Sequence, residues 1–102
     1  MINIITRPTL LQYMKEYPTA TIALQEWYYE FRNCTFNNFN QLKQVYGNAS
    51  LVGDNRVIFN IKGNDFRLVI KINFTAQAAY ILWFGSNKEY DKIDVKTIRF
   101  KR

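Results

Sequence analysis

Arg56, Asn60 and Lys62 share one parity of the stretch Asn55-Arg56-Val57-Ile58-Phe59-Asn60-Ile61-Lys62-Gly63-Asn64-Asp65-Phe66-Arg67, and Val57, Phe59 and Ile61 share the other. Folded as a β-hairpin about Gly63-Asn64, this stretch sets Ile61 against Phe66, Phe59 against Leu68 and Val57 against Ile70. Asn60 then meets Arg67, and Arg56 meets Lys71. One face is core and the other carries cations and amides. Arg56 and Lys71 repel across the ladder unless an anion or side-chain splay separates them. Such a face suits phosphate, and in RNA the phosphate sits beside its own nucleophile. The 2′-hydroxyl attacks when the chain is bent in line, provided that a base takes the proton, cations steady the developing charge and an acid protonates the leaving oxygen. Lysines crowded by other cations lose proton affinity, so Lys62 or Lys71 is a candidate acid or base, and Arg67 is the natural charge stabiliser. Each residue also has an ordinary reading: Lys62 flanks a turn opposite Asp65, Arg56 covers apolar surface and Tyr90 is a packed ring. Their agreement on one face is what points to RNA.

The elements that must hold this hairpin follow from periodicity. Ile2–Ile5 reads as a short strand. Thr6 and Pro8 open a helix that runs to about Glu16, and Pro18 forces Tyr17 out of the helical region. A second helix starts near Thr19, with Ala20, Leu24, Trp27, Tyr28 and Phe31 as an apolar stripe suited to lie on a sheet. Phe39, Leu42, Val45 and Tyr46 mark a third, ended by Gly47. Ser50–Val52, Arg56–Lys62, Phe66–Phe74 and Ala78–Phe84 are strands joined by short turns, which predicts an antiparallel meander packed against the N-terminal helices, an α+β fold in a single domain over residues 1–102. The last strand is apolar on both faces, with Ile81 and Trp83 alternating with Tyr80, Leu82 and Phe84, so it belongs inside the sheet. Ser86 and Glu89 form a capping-box pattern opening a short helix that bears Asn87 and Tyr90. Lys96, Arg99, Lys101 and Arg102 make a basic end, either an edge strand or a trailing tail.

The net charge of +6 is one-sided: residues 1–55 carry four Lys/Arg and four Asp/Glu, and residues 56–102 carry ten and four. By itself this field leaves nucleic acid, an anionic membrane and an acidic protein open as partners. Histidine is absent and Cys34 is the one cysteine, so a zinc site, a Cys–His dyad and an internal disulfide are excluded or disfavoured. Glu89, Asp91 and Asp94 alternate with Lys88, Lys92 and Lys96, the pattern of a solvated face, and Gly63 has no phosphate-loop context. We therefore expect neither metal nor cofactor. A lone thiol, and no long apolar run, predict a soluble protein of the reducing cytoplasm without a membrane span.

The Asn55–Val69 and Gly85–Asp94 motifs, together with Ala23-Leu24-Gln25-Glu26-Trp27-Tyr28, Leu42-Lys43 and Ala49-Ser50, resemble the HigB family of toxins over nearly the whole chain. That resemblance implies the RelE-like microbial RNase fold and a bacterial mRNA interferase, an endoribonuclease that cuts mRNA on the translating ribosome and so inhibits translation. It also implies a helix-turn-helix (HigA-like) antitoxin as partner. The matching positions are Arg56, Asn60, Lys62, Asn64 and Arg67 in the hairpin and Tyr90 and Lys92 after it. Lys62, Arg67, Tyr90 and Asn87 are thereby the expected catalytic set, and Arg56, Asn60, Asn64, Lys71 and Lys92 the expected RNA contacts. Family members commonly have His where Asn87 stands and often Arg where Leu82 stands, and an amide cannot shuttle a proton near neutral pH. The alternative is thus a non-catalytic relative that binds RNA, the ribosome or antitoxin without cleaving.

Overall fold

A computed structural model describes residues 1–95. The predicted basic end, Lys96, Arg99, Lys101 and Arg102, lies outside them. In chain order the elements are β1 (Asn3–Ile5), α1 (Arg7–Glu16), a 3-10 turn (Pro18–Ala20), α2 (Thr21–Arg32), α3 (Phe39–Val45), β2 (Ser50–Leu51), β3 (Arg56–Ile61), β4 (Phe66–Asn73), β5 (Ala78–Ser86) and α4 (Asn87–Tyr90).

The helix boundaries follow the local chemistry. Pro8 sits in the first turn of α1, where its missing N–H costs nothing. Thr6 occupies the cap position without capping, because its hydroxyl bonds to Thr9 Oγ1 at 2.6 Å instead of to an amide. Asn38 does cap α3, accepting from the Gln41 amide at 3.0 Å. Along α2, Leu24, Trp27 and Phe31 are buried at helical spacing, and the Trp27 and Phe31 rings both lie 5.4 Å from that of Phe59 on β3.

The sheet order is β1-β5-β4-β3-β2. Strands β2 to β5 form the expected antiparallel meander, and the hairpin register is the symmetric one, Ile61↔Phe66 through Arg56↔Lys71. β1 extends it: the strand pairs parallel to β5, Asn3↔Ala78 to Ile5↔Tyr80, so the sheet is mixed. Ile2 and Ile4 are buried in the main core. A parallel neighbour needs a long crossover, and the helices between β1 and the meander supply it. β5 lies inside the sheet, between β1 and β4, as its apolar faces require. Its alternation is broken, however. The register with β4 shifts between Val69 and Ile70, leaving Leu82 as an extra residue. Leu82 consequently joins Ile58 and Val69 in a small cluster that also takes in Trp83, Tyr90 and Val95, while Ile81 and Phe84 belong to the main core.

Candidate nucleic-acid interface

The two strands of the β3–β4 hairpin bring Asn60 and Arg67 opposite each other, on the side away from the buried Phe59, Ile61, Phe66 and Leu68. The four-residue connection places Lys62 at φ +54° and Gly63 at φ +64°, with the Asp65 amide donating to the Lys62 carbonyl at 3.2 Å. Gly63 takes that conformation freely, whereas Lys62 is held in it by the turn. Asn64 ties the loop to the strands: its Oδ1 accepts from Asn60 Nδ2 at 3.3 Å, and its carbonyl accepts from Arg67 Nη1 at 3.2 Å. Arg67 Nη1 also donates to the Phe66 carbonyl at 3.2 Å. The guanidinium is thus braced by two backbone acceptors and half-exposed.

α4 completes the site from the other end of the sequence. The predicted capping box is present, with the Ser86 amide donating to Glu89 Oε1 at 2.9 Å and the Glu89 amide donating to Ser86 Oγ at 3.2 Å. The Asn87 amide donates to the Asp65 carbonyl at 3.0 Å, which fastens the helix to the hairpin turn. Between them runs an open groove of about 400 Å3 lined by Lys62, Asn64, Asp65, Ser86, Asn87 and Lys88, together with Phe66 and Thr19. Tyr90 lies within electrostatic reach of Arg67. Burial raises the Tyr90 phenol above its ordinary pKa of 10.0 while the Arg67 charge opposes the rise, so the ring carries its proton at neutral pH.

Sequence reasoning named the residues that shape this corner but not the contacts between them. Gly85 is the strand partner of Arg67, and a Cβ there would lie 2.6 Å from Cη2 of Trp83. The indole therefore lies over Gly85, and its centroid is 6.1 Å from that of Tyr90. A Gly directly after Trp83-Phe84, opposite Arg67 in the sheet register, is the signal that pointed here. The contact between Tyr17 and Glu89 left no signal, although local rules placed each of the two residues separately. Tyr17, at the end of α1, donates to Glu89 Oε1 at 2.9 Å and Oε2 at 3.1 Å across 72 residues of chain. Its ring packs edge-on against Phe66 and Phe84 at 5.6 and 5.4 Å.

The Tyr17–Glu89 link has a pH signature. The Ser86 amide and the Tyr17 hydroxyl hold the Glu89 carboxyl below its usual 4.5. Its contribution is complete above that pH and disappears as the pH falls through the lowered value. Burial, then Glu89, pushes the Tyr17 phenol up to about 12, so its contribution holds below pH 10 and is lost between 10 and about 12. Tyr17→Phe keeps the ring and removes the hydroxyl. We expect a loss of about 1 kcal/mol in thermal unfolding, a Glu89 pKa shifted up toward its ordinary value by NMR titration, and no alkaline transition from residue 17. An unmoved Glu89 titration would show that the contact carries no weight.

The remaining predicted contacts do not converge. Arg56 is buried, 6% exposed, and its Nη1 donates to the Val95 carbonyl at 2.8 Å. The expected repulsion with Lys71 is relieved internally: Arg56 turns under the chain beyond α4, and Lys71 pairs with Asp54 at 3.2 Å. Lys71 lies toward the far end of the hairpin from Lys62, since its partner is Arg56 and not Asn60. Lys92 follows α4 and is exposed, its charge helping to hold Glu89 ionised. The structure thus gathers Asn60, Lys62, Asn64, Arg67, Asn87 and Tyr90 at one end of the hairpin, and separates Arg56 and Lys71 from them.

No helix among the described residues is long and apolar enough to cross a membrane. Compared with known proteins, residues 20–93 match the HigB toxin family model, described as the RelE-like toxic component of a toxin–antitoxin system. No curated protein matches the chain. The matched span covers α2 to α4, and with them every residue of the hairpin end.

Proposed function

Because the chain belongs to the HigB toxin family, the RelE-like toxic component of a toxin–antitoxin system, we propose that it is an endoribonuclease that cuts mRNA on the ribosome through attack by the RNA's own 2′-hydroxyl. The observation that supports this reading is the Arg67 guanidinium, braced by the Asn64 and Phe66 carbonyls and acting on the protonated Tyr90 phenol, on a hairpin end whose Lys62 and Asn64 share a groove with Asn87. The RNA backbone lies across the hairpin end, with Asn60 and Asn64 directing it and Arg67 facing the scissile phosphate. The 2′-oxygen bonds to phosphorus, the bond to the next nucleotide's 5′-oxygen breaks, and a 2′,3′-cyclic phosphate and a 5′-hydroxyl result. Arg67 neutralises the charge that gathers on the phosphoryl oxygens, and a donor fixed before the reaction begins costs no reorganisation during it. Tyr90 donates to the same oxygens. The Lys62 ammonium, at the edge of the groove, protonates the departing 5′-oxygen.

The weak point of this machinery is the proton of the attacking hydroxyl. With no histidine in the chain it passes to solvent water. Asn87 lines the groove, so Asn87→His places an imidazole there as a general base. Such a group contributes typically ~10²–10⁴-fold, and we expect a gain of about 10²-fold whose pH profile rises through about 6.5. A variant no faster than the parent, with a flat profile, would remove position 87 from the proton path.

The second reading, a relative that binds RNA or antitoxin without cutting, draws on the same Asn87 and on Leu82, which is buried with Ile58 and Val69. Primer extension on mRNA after induced expression separates the two. New 5′ ends within translated codons support the nuclease, and intact transcripts in growing cells support the binder.

A further inference from the structure

Strand pairing sets Asn60, Arg67 and Gly85 in one row across β3, β4 and β5, and Ile58, Val69 and Trp83 in the next row of the same face. The first row has no side chain at its third position, and the indole fills that place. A Cβ on Gly85 would lie 2.6 Å from Cη2 of Trp83 and 2.7 Å from its Cζ2. Directly opposite residues of such a ladder hold their Cβ atoms about 4.5–5.5 Å apart, so the six-membered ring of Trp83 sits where the cross-strand neighbour of Arg67 would be. The ring packs against the cluster of Ile58, Val69 and Leu82 and is still half-buried, so the cluster supports it while solvent reaches part of it. Tyr90, also half-buried, lies 6.1 Å away between centroids at an interplanar angle of 54°. Glu89 Oε1 is 3.2 Å from the Cβ position on Gly85. That carboxylate repels a phosphate directly above Gly85 and leaves the place open to an uncharged group.

The geometry points to Trp83 as a stacking platform for a nucleobase adjoining the scissile phosphate, the indole receiving the base while Arg67 holds the phosphate. Aromatic side chains set beside cations are how proteins hold single-stranded nucleic acid, because every base has a π-face and its backbone is anionic. A tryptophan needed only for packing gains most from full burial, as Trp27 shows at 4% exposed. Trp83 is instead propped on the cationic face by a small cluster of its own. This assignment rests on reading that face as an RNA site. It does not require cleavage, since a relative that binds RNA without cutting would use the same platform.

The probe is a short, end-labelled single-stranded oligoribonucleotide carrying 2′-O-methyl groups, which block attack by the 2′-oxygen. It is titrated against the whole protein, with affinity read from label anisotropy and stacking from tryptophan emission. Of the two tryptophans, Trp27 is sealed in the core, so a stacked base quenches Trp83 alone. We expect saturable quenching in the parent and about tenfold weaker binding by Trp83→Leu. The salt dependence should stay unchanged in that variant, because stacking neutralises no phosphate, whereas Arg67→Ala should make it shallower. Trp83→Phe keeps a ring and should recover most of the affinity. If leucine disturbs folding, as judged by circular dichroism, Gly85→Ala takes its place: the indole is retained but displaced by the new Cβ, and the quenching should fall. RNA binding without quenching, or undiminished affinity in folded Trp83→Leu, overturns the platform and leaves the RNA face standing. A parent protein with no salt-sensitive affinity for the probe overturns both.

Discussion

Arg67→Ala is expected to slow mRNA cleavage by ~10²–10³-fold, the usual cost of removing one preorganised donor from a developing oxyanion. The structure explains why the loss should be chemical and not conformational. Arg67 is half-exposed, and its hydrogen bonds are with the Asn64 and Phe66 carbonyls, both at 3.2 Å. Losing them costs about 1 kcal/mol, a minor part of the roughly 5–15 kcal/mol that holds a domain of this kind together. The Asn60–Arg67 pairing is made by backbone atoms and survives the change. Arg67→Lys separates charge from shape: an ammonium restores the point charge but lacks the planar fork, so recovery should be partial. Single-turnover cleavage of mRNA on programmed ribosomes, set beside thermal melting of each variant, provides the measurement. An alanine variant that cuts at the parental rate would place the reaction elsewhere on the molecule.

Phe59→Ala is expected to cost ~3–5 kcal/mol of folding stability, the range for truncating a fully packed aromatic. Phe59 is 2% exposed, and its ring lies 5.4 Å from Trp27, 5.4 Å from Phe31 and 5.2 Å from Tyr46, in tilted to edge-on contacts. Three elements therefore meet on one side chain, and the vacancy left by alanine could close only if β3 shifted against α2. That shift would also carry away Asn60, the next residue along the strand. Urea unfolding at constant m-value checks the prediction. Ile22→Ala serves as the reference, because Ile22 is 71% exposed and its truncation should stay within about 0.5 kcal/mol. A Phe59 variant as stable as that reference would contradict the assignment of this core.

Local rules sufficed where neighbours in sequence are neighbours in space. The hairpin register was legible because apolar residues alternate on both sides of Gly63-Asn64, and only one pairing buries all of them. The Ser86–Glu89 capping box was legible because its two bonds close within four residues. Alternation also assigned Arg56 to the face of Asn60, but it says nothing about what later covers a face. The chain near Val95 covers that end, so a residue read as an RNA contact is instead bonded inside the protein.

What the sequence determined by itself was the α+β class, the meander and the identity of the hairpin that bears Asn60, Lys62, Asn64 and Arg67, since periodicity, turns and caps are properties of a few adjacent residues. Tertiary structure alone decided that β1 joins β5 in parallel, that an extra residue at Leu82 turns Trp83 toward Tyr90, and that Tyr17 reaches Glu89 from 72 residues away. Those outcomes depend on which surfaces meet once every element competes for the same core, and no window of the chain contains that information.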